Sequence, residues 1–418
     1  VPPPVRPQRP SNPRRVAVDI LLEWQTSGTY ADALLAAADQ RHIFANPSDR
    51  GLLHALVLGV LRHKTMLDIW LGELNQRGRL TDPVRWILRL GLFQLLKMGM
   101  APHAAVDESV NLSYDEKPLV NAILRRAIEE KDHLLAIEED APLHERHSLP
   151  DFLIERWRWI FGEEGMLKIV ELMGQPAETF VRLNQLKPWT EIPIGLSPVE
   201  SLPGFFRAAT VPRAELEAGT CYVQDPSTWF SCALLAPQPG QTVLDACAAP
   251  GGKAAVLAQF MENQGTLVAT DTSSRRLKRL SENLTRLGVT NAECRNMDWT
   301  AEDVPDDGVR FDRILLDVPC SNTGVMRRRV DVRWRVTPDV VAEMAGVQWS
   351  ILNATIPRLA PGGRLVYSTC SLEPAENDAQ VERVLAAFPH LRLVEKKLVA
   401  PHETGFDGAF AALFEAAL

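Results

Sequence analysis

Arg313-Ile314-Leu315-Leu316-Asp317-Val318-Pro319-Cys320 is the stretch whose reading decides the fold. An apolar run that starts on a charge and ends in Asp-Val-Pro-Cys has the form of a fully buried strand of a parallel sheet. In open α/β sheets, ligands bind beyond the carboxyl ends of the strands. Asp317 and Cys320 therefore fall where a substrate would lie. Gly363-Arg364-Leu365-Val366-Tyr367-Ser368-Thr369-Cys370 repeats the form and again ends in cysteine. Two buried strands that each deliver a thiol to one sheet edge place Cys320 and Cys370 in one active site.

Working outward, apolar runs at 242–246, 266–271, 292–296, 312–317 and 364–368 read as strands. Helices at 253–261, 274–287 and 339–359 lie between them. In the second of these, Leu277, Leu280, Leu284 and Leu287 share one face and Gly288 is the stop. This alternation implies an α/β doubly wound, Rossmann-like parallel sheet over about 216–418. Upstream the texture is different. Ala17, Ile20, Leu21 and Trp24 follow helical spacing behind Asn12-Pro13, and Ser48-Asp49 and Thr81-Asp82-Pro83 open further helices. Residues 1–140 thus read as an all-α bundle. Between them, 141–215 reads as a connector with two short helices, one strand at 180–184, and proline-broken loops.

A cofactor site is readable at Val243-Leu244-Asp245-Ala246-Cys247-Ala248-Ala249-Pro250-Gly251-Gly252-Lys253. Small residues let the backbone approach a ligand, and the helix that follows offers free N–H groups. The candidates are Cys247, Ala248, Ala249, Pro250, Gly251, Gly252 and Lys253. Asp271 ends the next strand, where a carboxylate can hold ribose hydroxyls; a helix-capping role is the bland alternative. Asp298 follows the third strand and can accept from an adenine amino group or simply face solvent.

The motifs Asp-Ala-Cys-Ala-Ala-Pro-Gly-Gly-Lys, Asp-Val-Pro-Cys-Ser and Ser-Thr-Cys-Ser resemble those of RNA cytosine carbon-5 methyltransferases, as does Gln224-Asp225-Pro226-Ser227. Asn12 to Ala17, Gly91 to Leu96, His103 to Val106 and Val120 to Arg126 resemble the RNA-binding NusB module. A NusB-like domain joined to this catalytic domain is the layout of the bacterial Sun/Fmu (RsmB) family, and the resemblance spans nearly the whole chain. Departures are Asn322, where a smaller residue is usual, the lack of His-Pro before Asp331, and one phenylalanine fewer at 407–410.

The resemblance implies S-adenosyl-L-methionine as cofactor and methylation of cytosine carbon 5 in 16S ribosomal RNA. It implies Cys370 as the nucleophile on carbon 6, Cys320 as a helper in product release, and Asp317 as a hydrogen-bonding group on the ring. A thiolate added at carbon 6 makes carbon 5 nucleophilic, which is covalent catalysis by cysteine. Asp317 and Arg276 join the expected cofactor contacts. Taken singly, a free cysteine is as often a small buried hydrophobe, the reading preferred for Cys221, Cys232 and Cys294. Competing readings are the same reaction on tRNA, an amino-methyltransferase (which would carry Asn/Asp-Pro-Pro-aromatic at the strand end), and a non-enzymatic RNA-binding factor.

Composition bounds the partners. The chain has 418 residues, 46% apolar and 23% charged, with net charge −8. That balance argues against indiscriminate nucleic-acid binding, so local basic groups matter: Arg327, Arg328, Arg329, Arg333 and Arg335; Arg275, Arg276, Lys278 and Arg279; Arg6, Arg9, Arg14 and Arg15. The first group is favoured for RNA contact because it follows Cys320. Six cysteines without a Cys-x-x-Cys pair suggest neither zinc nor a disulfide framework. Residues 1–13 lack an apolar core and read as a disordered arm, not a secretory signal. The expectation is a cytoplasmic monomer acting on ribosomal RNA, with neither membrane nor DNA as partner.

Overall fold

The structure is a computed structural model and describes residues 10–75, 78–187, 189 and 191–418. Arg6 and Arg9 lie outside the described residues, as does most of the arm expected at 1–13. The chain forms two compact units. One comprises the residues up to Pro176 together with Met326–Arg335; the other comprises Ala177–Val325 and Val336–Leu418. The first break in the chain thus falls within the stretch read as a connector.

The first unit is helical. Asn12 caps Pro13–Ser27 by accepting from the N–H groups of Arg14 and Arg15, and Gly28 ends the helix at φ 68°. The Pro47–Arg62 helix has its cap at Asn46, two residues before the expected opening at Ser48, and the Asp49 carboxylate accepts from the Asn46 N–H at 3.2 Å. Asp82–Leu92 runs on into a π-helical turn, Phe93–Lys97. There Gly59 is obligatory, because a Cβ on it would stand 2.0 Å from the Phe93 ring. The two short helices expected near 150–173 are present within Asp151–Met173, and they part at Gly162, whose φ of 71° is non-helical. Leu21, Leu53, Val60, Trp70, Trp86 and Leu124 lie in a single core, and the buried Trp70 indole donates to the Leu134 carbonyl at 2.7 Å.

Met326–Arg335 corrects one expectation. The basic residues of this segment were favoured as RNA contacts, but Arg333 is buried in the helical unit. Its guanidinium donates to the carbonyls of Val330 (3.0 Å), Arg62 (3.1 Å), His147 (2.9 Å) and Met173 (2.8 Å). Arg327 donates to the Pro176 carbonyl, and Arg335 to those of Gly28 and Thr29. Asp331 accepts from the Ala31 N–H at 2.8 Å and the Trp24 indole at 3.2 Å, capping the Ala31–Arg41 helix from outside it. These are structural anchors, and a buried guanidinium is tolerated only when its donors are satisfied in this way.

The second unit contains two sheets. The strands β1 (Phe180–Leu183), β2 (Leu196–Pro198), β3 (Phe205–Ala208) and β4 (Cys221–Val223) form an antiparallel sheet of order β2-β3-β1-β4. β2 and β3 fall in the stretch expected to be loop, and β4 was not anticipated. Pro198 is accommodated because β2 is an edge strand. The larger sheet comprises β5 (Thr242–Asp245), β6 (Thr266–Asp271), β7 (Ala292–Asn296), β8 (Phe311–Asp317), β9 (Leu359–Thr369), β10 (Leu391–Val399) and β11 (Ala409–Ala416), in the order β10-β11-β9-β8-β5-β6-β7. The five expected strands are parallel; β10 and β11 add an antiparallel end.

Both faces of this sheet are covered, as parallel sheets require. Ile314, Leu316, Leu365 and Tyr367 pack with Ile351, Leu352 and Val381. Leu315, Val366, Val243 and Leu267 pack on the other face with Val256, Leu280 and Leu284. The strand order reverses between β5 and β8. Asp245, Asp271, Asp317 and Thr369 all stand at carboxyl ends there, which makes this edge the ligand crevice. Among the described residues, no helix is long and apolar enough to cross a membrane.

Candidate active site

The register of β8 and β9 builds the site. Asp317 pairs with Ser368 across the ladder, so the residues that follow leave the sheet side by side. The sulfurs of Cys320 and Cys370 come to 3.1 Å. The Cys370 thiol also donates to the Asn322 side-chain oxygen at 3.1 Å, and the Asn322 amide group donates to the Cys320 carbonyl at 2.7 Å. Asn322 holds φ 62°, a left-handed conformation that asparagine tolerates better than most residues. The hydrogen bond with Cys370, then burial, push the Cys320 thiol well above its ordinary range.

Backbone contacts fix the Cys370 loop from behind. The Gly324 N–H donates to the Cys370 carbonyl at 3.0 Å, and the Gly408 N–H to the Gly324 carbonyl at 2.8 Å. A Cβ on Gly324 would lie 2.6 Å from the Gly408 carbonyl oxygen, so only glycine fits. Asp225, of the Gln224-Asp225-Pro226-Ser227 segment, accepts from the Ser227 and Asp407 N–H groups.

Lys253 lies at the start of the Gly252–Phe260 helix and its ammonium meets Asp317 at 2.6 Å. Burial works against the charged ammonium, but the Asp317 charge and hydrogen bond outweigh it and raise the Lys253 pKa; the Cys370 thiol adds a smaller push in the same direction. Asp317 and Lys253 are therefore a charged pair at the end of β8, beside the thiols.

The loop from Cys247 to Gly252 follows β5. Gly251 stands at φ 106° and caps the helix; a Cβ on Gly252 would lie 2.9 Å from the Tyr222 ring. Asp245 is fully buried at the end of β5, and neither carboxylate oxygen has a partner in hydrogen-bonding geometry. Burial and then the Asp317 charge raise its pKa to about 7; Lys253 and the Cys247 amide oppose this without prevailing. A buried carboxylate whose oxygens have no partner in good geometry, at a switch point and beside the N-terminus of a helix, fits a ligand that carries both a cation and hydrogen-bonding groups.

Asp271, buried at the end of β6, accepts from the Ser273 N–H at 2.8 Å and pairs with Arg276 at 3.0 Å. Asp298 is exposed, and its Oδ1 accepts from the Thr300 N–H (2.9 Å) and hydroxyl (2.6 Å). It caps its own turn, and those bonds lower its pKa. Cys221 and Cys232 are buried and Cys247 and Cys294 half-buried; burial raises Cys221 to about 11 and Cys232 to about 12, and pushes Cys247 and Cys294 up as well. Among the described residues, no cluster of three His, Cys, Asp or Glu side chains is placed to hold a metal.

The structure therefore gathers Cys320, Cys370, Asp317 and Lys253 at one point and the 245–252 loop beside them. Sequence reasoning did not single out Asp245 or Asn322 for a role. It also passed over Glu376, whose fully buried carboxylate lies between the two thiol loops. Glu376 stands among Glu373 and Asp378 and has the appearance of a solvated helix start. The six-residue interval from Cys370 was the one available signal.

Comparison with known proteins is consistent along the chain. A family model described as 16S rRNA methyltransferase RsmB/F matches residues 232–414, and the NusB family model matches 11–129. A protein of Synechocystis sp. named "Probable ribosomal RNA small subunit methyltransferase B" is 34% identical, over 89% of this chain and 88% of its own. The Klebsiella pneumoniae protein named "Ribosomal RNA small subunit methyltransferase B" is 35% identical, over 82% of this chain and 83% of its own. The crystal structure of PH0851 superposes with a TM-score of 0.77 at 23% identity, over 98% of this chain and 100% of that one, which is a likeness of fold.

Proposed function

Since the chain belongs to the RsmB/F family of 16S rRNA methyltransferases, we propose that it methylates carbon 5 of a cytosine in 16S ribosomal RNA through a covalent cysteine adduct. The observation that carries this reading is the pair of thiols 3.1 Å apart at the ends of adjacent strands, next to an Asp–Lys pair and a cofactor loop.

S-adenosyl-L-methionine, as cofactor, supplies an electrophilic methyl group on a sulfonium. Asp271 and Arg276, the Cys247–Lys253 loop, Asp298 and Asp317 are the residues that would hold it. Asp271 would take ribose hydroxyls, the small residues at 248–252 would admit the ligand to the backbone, and Asp245 would offer a carboxylate to a cationic group.

Cys370 adds to carbon 6 of the cytosine. The sulfur–carbon bond forms as the carbon 5–carbon 6 π pair is pushed onto carbon 5, which takes the methyl group. Cys320, free to ionise once Cys370 is a thioether, then takes the carbon 5 proton, and the electron pair of that carbon–hydrogen bond restores the double bond and expels the Cys370 thiolate. Two thiols this close do not both ionise readily, because like charges oppose each other. Ser368-Thr369-Cys370-Ser371 matches the nucleophile motif of the RNA family, which supports Cys370 as the nucleophile and Cys320 as the helper in release. Asp317, fixed by Lys253, hydrogen-bonds the ring at nitrogen 3 and the amino group and stabilises the activated base. The target base must be unstacked to reach this point, and the NusB-like unit supplies further RNA contact.

Two variants test the assignment. Cys370→Ala should neither turn over nor form an adduct. Cys320→Ala should still attack and methylate but remain trapped on RNA, seen as a slow protein–RNA band on a denaturing gel. A band from Cys370→Ala but not from Cys320→Ala would reverse the roles. No band and full turnover from both would end the covalent reading, and mapping labelled methyl groups on 16S RNA checks the base.

A further inference from the structure

Neither cysteine lies within a strand or long helix, and beyond the backbone contacts that fix the Cys370 loop, the spacing of the two loops needs a side chain that joins them. Glu376 does this. Its Oε1 accepts from the Ser321 N–H at 2.8 Å and from the Gln348 amide at 2.8 Å. Its Oε2 accepts from the Ser371 hydroxyl at 2.5 Å and from the Ser321 hydroxyl. Ser321 follows Cys320, Ser371 follows Cys370, and the two hydroxyls are 3.2 Å apart. One carboxylate therefore grips the residue next to each thiol.

The grip is held from two further elements. Gln348, fully buried on the Pro338–Thr355 helix, also donates to the carbonyl of Pro319, the residue before Cys320. The Tyr367 hydroxyl, from β9, donates to the Glu376 carbonyl at 2.5 Å and to Gln348 at 2.9 Å. Burying a carboxylate is costly even when it is fully bonded, and an apolar cluster of the same shape often gives equal or greater stability. What such a network provides beyond stability is a fixed geometry.

We propose that Glu376 is a positioning residue for the reaction, tying Ser321 and Ser371 together so that the two thiols stay in contact range. This rests on the two-thiol reading above. It predicts a loss in the chemical step and not in the binding of either substrate, because misplacing a reacting group costs rate.

The test uses the full chain carrying Glu376→Ala, Glu376→Gln, or Ser321→Ala with Ser371→Ala. Two readouts are taken: steady-state methyl transfer, and titration with phenylarsine oxide without RNA. The arsenical condenses with two neighbouring thiols, forming two As–S bonds and releasing one water, so it reports their proximity independently of catalysis. Cys320→Ser, which removes one thiol, sets the background. Glu376→Ala should lower kcat about 100-fold, leave both KM values within about threefold, and weaken arsenical capture. Glu376→Gln keeps an oxygen for Ser321 N–H and Gln348, and its amide can donate to both serine hydroxyls. It should restore capture and bring kcat within about tenfold of wild type. If Glu376→Ala does not fold, the double serine variant carries the same expectation as Glu376→Ala, because Glu376 keeps its Ser321 N–H and Gln348 bonds there.

Wild-type kcat and capture in both the alanine variant and the serine pair would overturn the proposal. So would a kcat loss with unchanged capture and no rescue by glutamine. Turnover by Cys370→Ala would instead defeat the two-thiol reading, while the arsenical result would still stand or fall with Glu376.

Discussion

Arg333 in the helical unit and Asp245 in the sheet unit are both charged groups removed from water, and the protein treats them in opposite ways. Arg333 directs its guanidinium at four main-chain carbonyls. Burial, then the nearby Arg62 charge, lower its pKa to about 9, yet each nitrogen has an acceptor. Among the described residues, neither Asp245 oxygen has a partner in good hydrogen-bonding geometry. Burial of charge therefore does not by itself mark a functional site; what marks one is burial without satisfaction. Arg333 lies only 13 positions after Cys320 in the sequence, yet it serves the helical unit's architecture.

The largest test of this contrast is Arg333→Met. It leaves the carbonyls of Arg62, His147, Met173 and Val330 without their donor, and should destabilise the helical unit by about 3 kcal/mol. Hydrogen exchange read by peptide should show the loss in 10–176 and spare β5 to β9. A loss spread evenly over both units would blur the distinction. For the same reason, a catalytic half made by deleting the helical residues would be a poor reagent. It would retain Met326–Arg335, whose carbonyl and indole partners had been removed.

Asp271→Ala acts in the other unit. Each charge-assisted hydrogen bond lost to ribose is worth about 1.5–3 kcal/mol, so S-adenosyl-L-methionine affinity should fall roughly 10- to 150-fold. Calorimetric titration measures this directly, and an unchanged affinity would remove Asp271 from the cofactor site.

The parallel core was legible because β5, β6 and β8 are apolar runs that must be covered on both faces, and each ends in aspartate. β10 was not, since Arg392, Glu395, Lys396 and Lys397 make it read as a solvated segment. Charges of that kind protect an edge strand from pairing with other chains. β2 and β4 are three residues each, too short to show a period. In the site, the thiols and Asp317 were legible from type and spacing. Glu376 and Asn322 were not, because their importance lies in contacts made across 48 to 55 residues of chain. Arg333, in the basic run after Cys320, was misread because spacing does not reveal which carbonyls a guanidinium will find.

The helical unit also carries His63 and His147. Burial first, then the charges of Lys97, Arg62 and Arg333, lower His63 to about 2; burial, then Arg146, Arg333 and Lys97, lower His147 to about 4. Both are neutral in the folded chain at neutral pH, whereas an unfolded histidine titrates near 6.5. Unfolding therefore takes up protons below that pH. The stability from these groups is present above about 6.5 and is lost as pH falls toward 4 and then 2. Between pH 7 and 5.5 the helical unit should lose about 2 kcal/mol. Replacing both histidines with glutamine should flatten the slope of denaturant midpoint against pH; an unchanged slope would assign it elsewhere.

Asp245 should give the opposite sign in the sheet unit. Its folded pKa is raised to about 7, against about 3.9 for an unfolded aspartate. The folded state thus binds the extra proton. The contribution is fully present below about 3.9 and is lost as pH rises through about 7. From pH 5.5 to 7 it should cost the sheet unit about 1.5 kcal/mol, over the range in which the helical unit gains. Asp245→Asn cannot titrate, so its sheet unit should lack that downward slope. The cost has a use if the ionised carboxylate faces the cationic end of S-adenosyl-L-methionine. Binding would then favour the charged form, and the protein should release up to one proton per cofactor at about pH 6.5. Calorimetry in buffers of different ionisation enthalpy counts that proton. Wild-type protein should release it, and Asp245→Asn should release none while binding more weakly. Equal proton counts and equal affinity in the two would mean that the orphaned carboxylate of β5 is a structural accident and that the contrast with Arg333 carries no functional information.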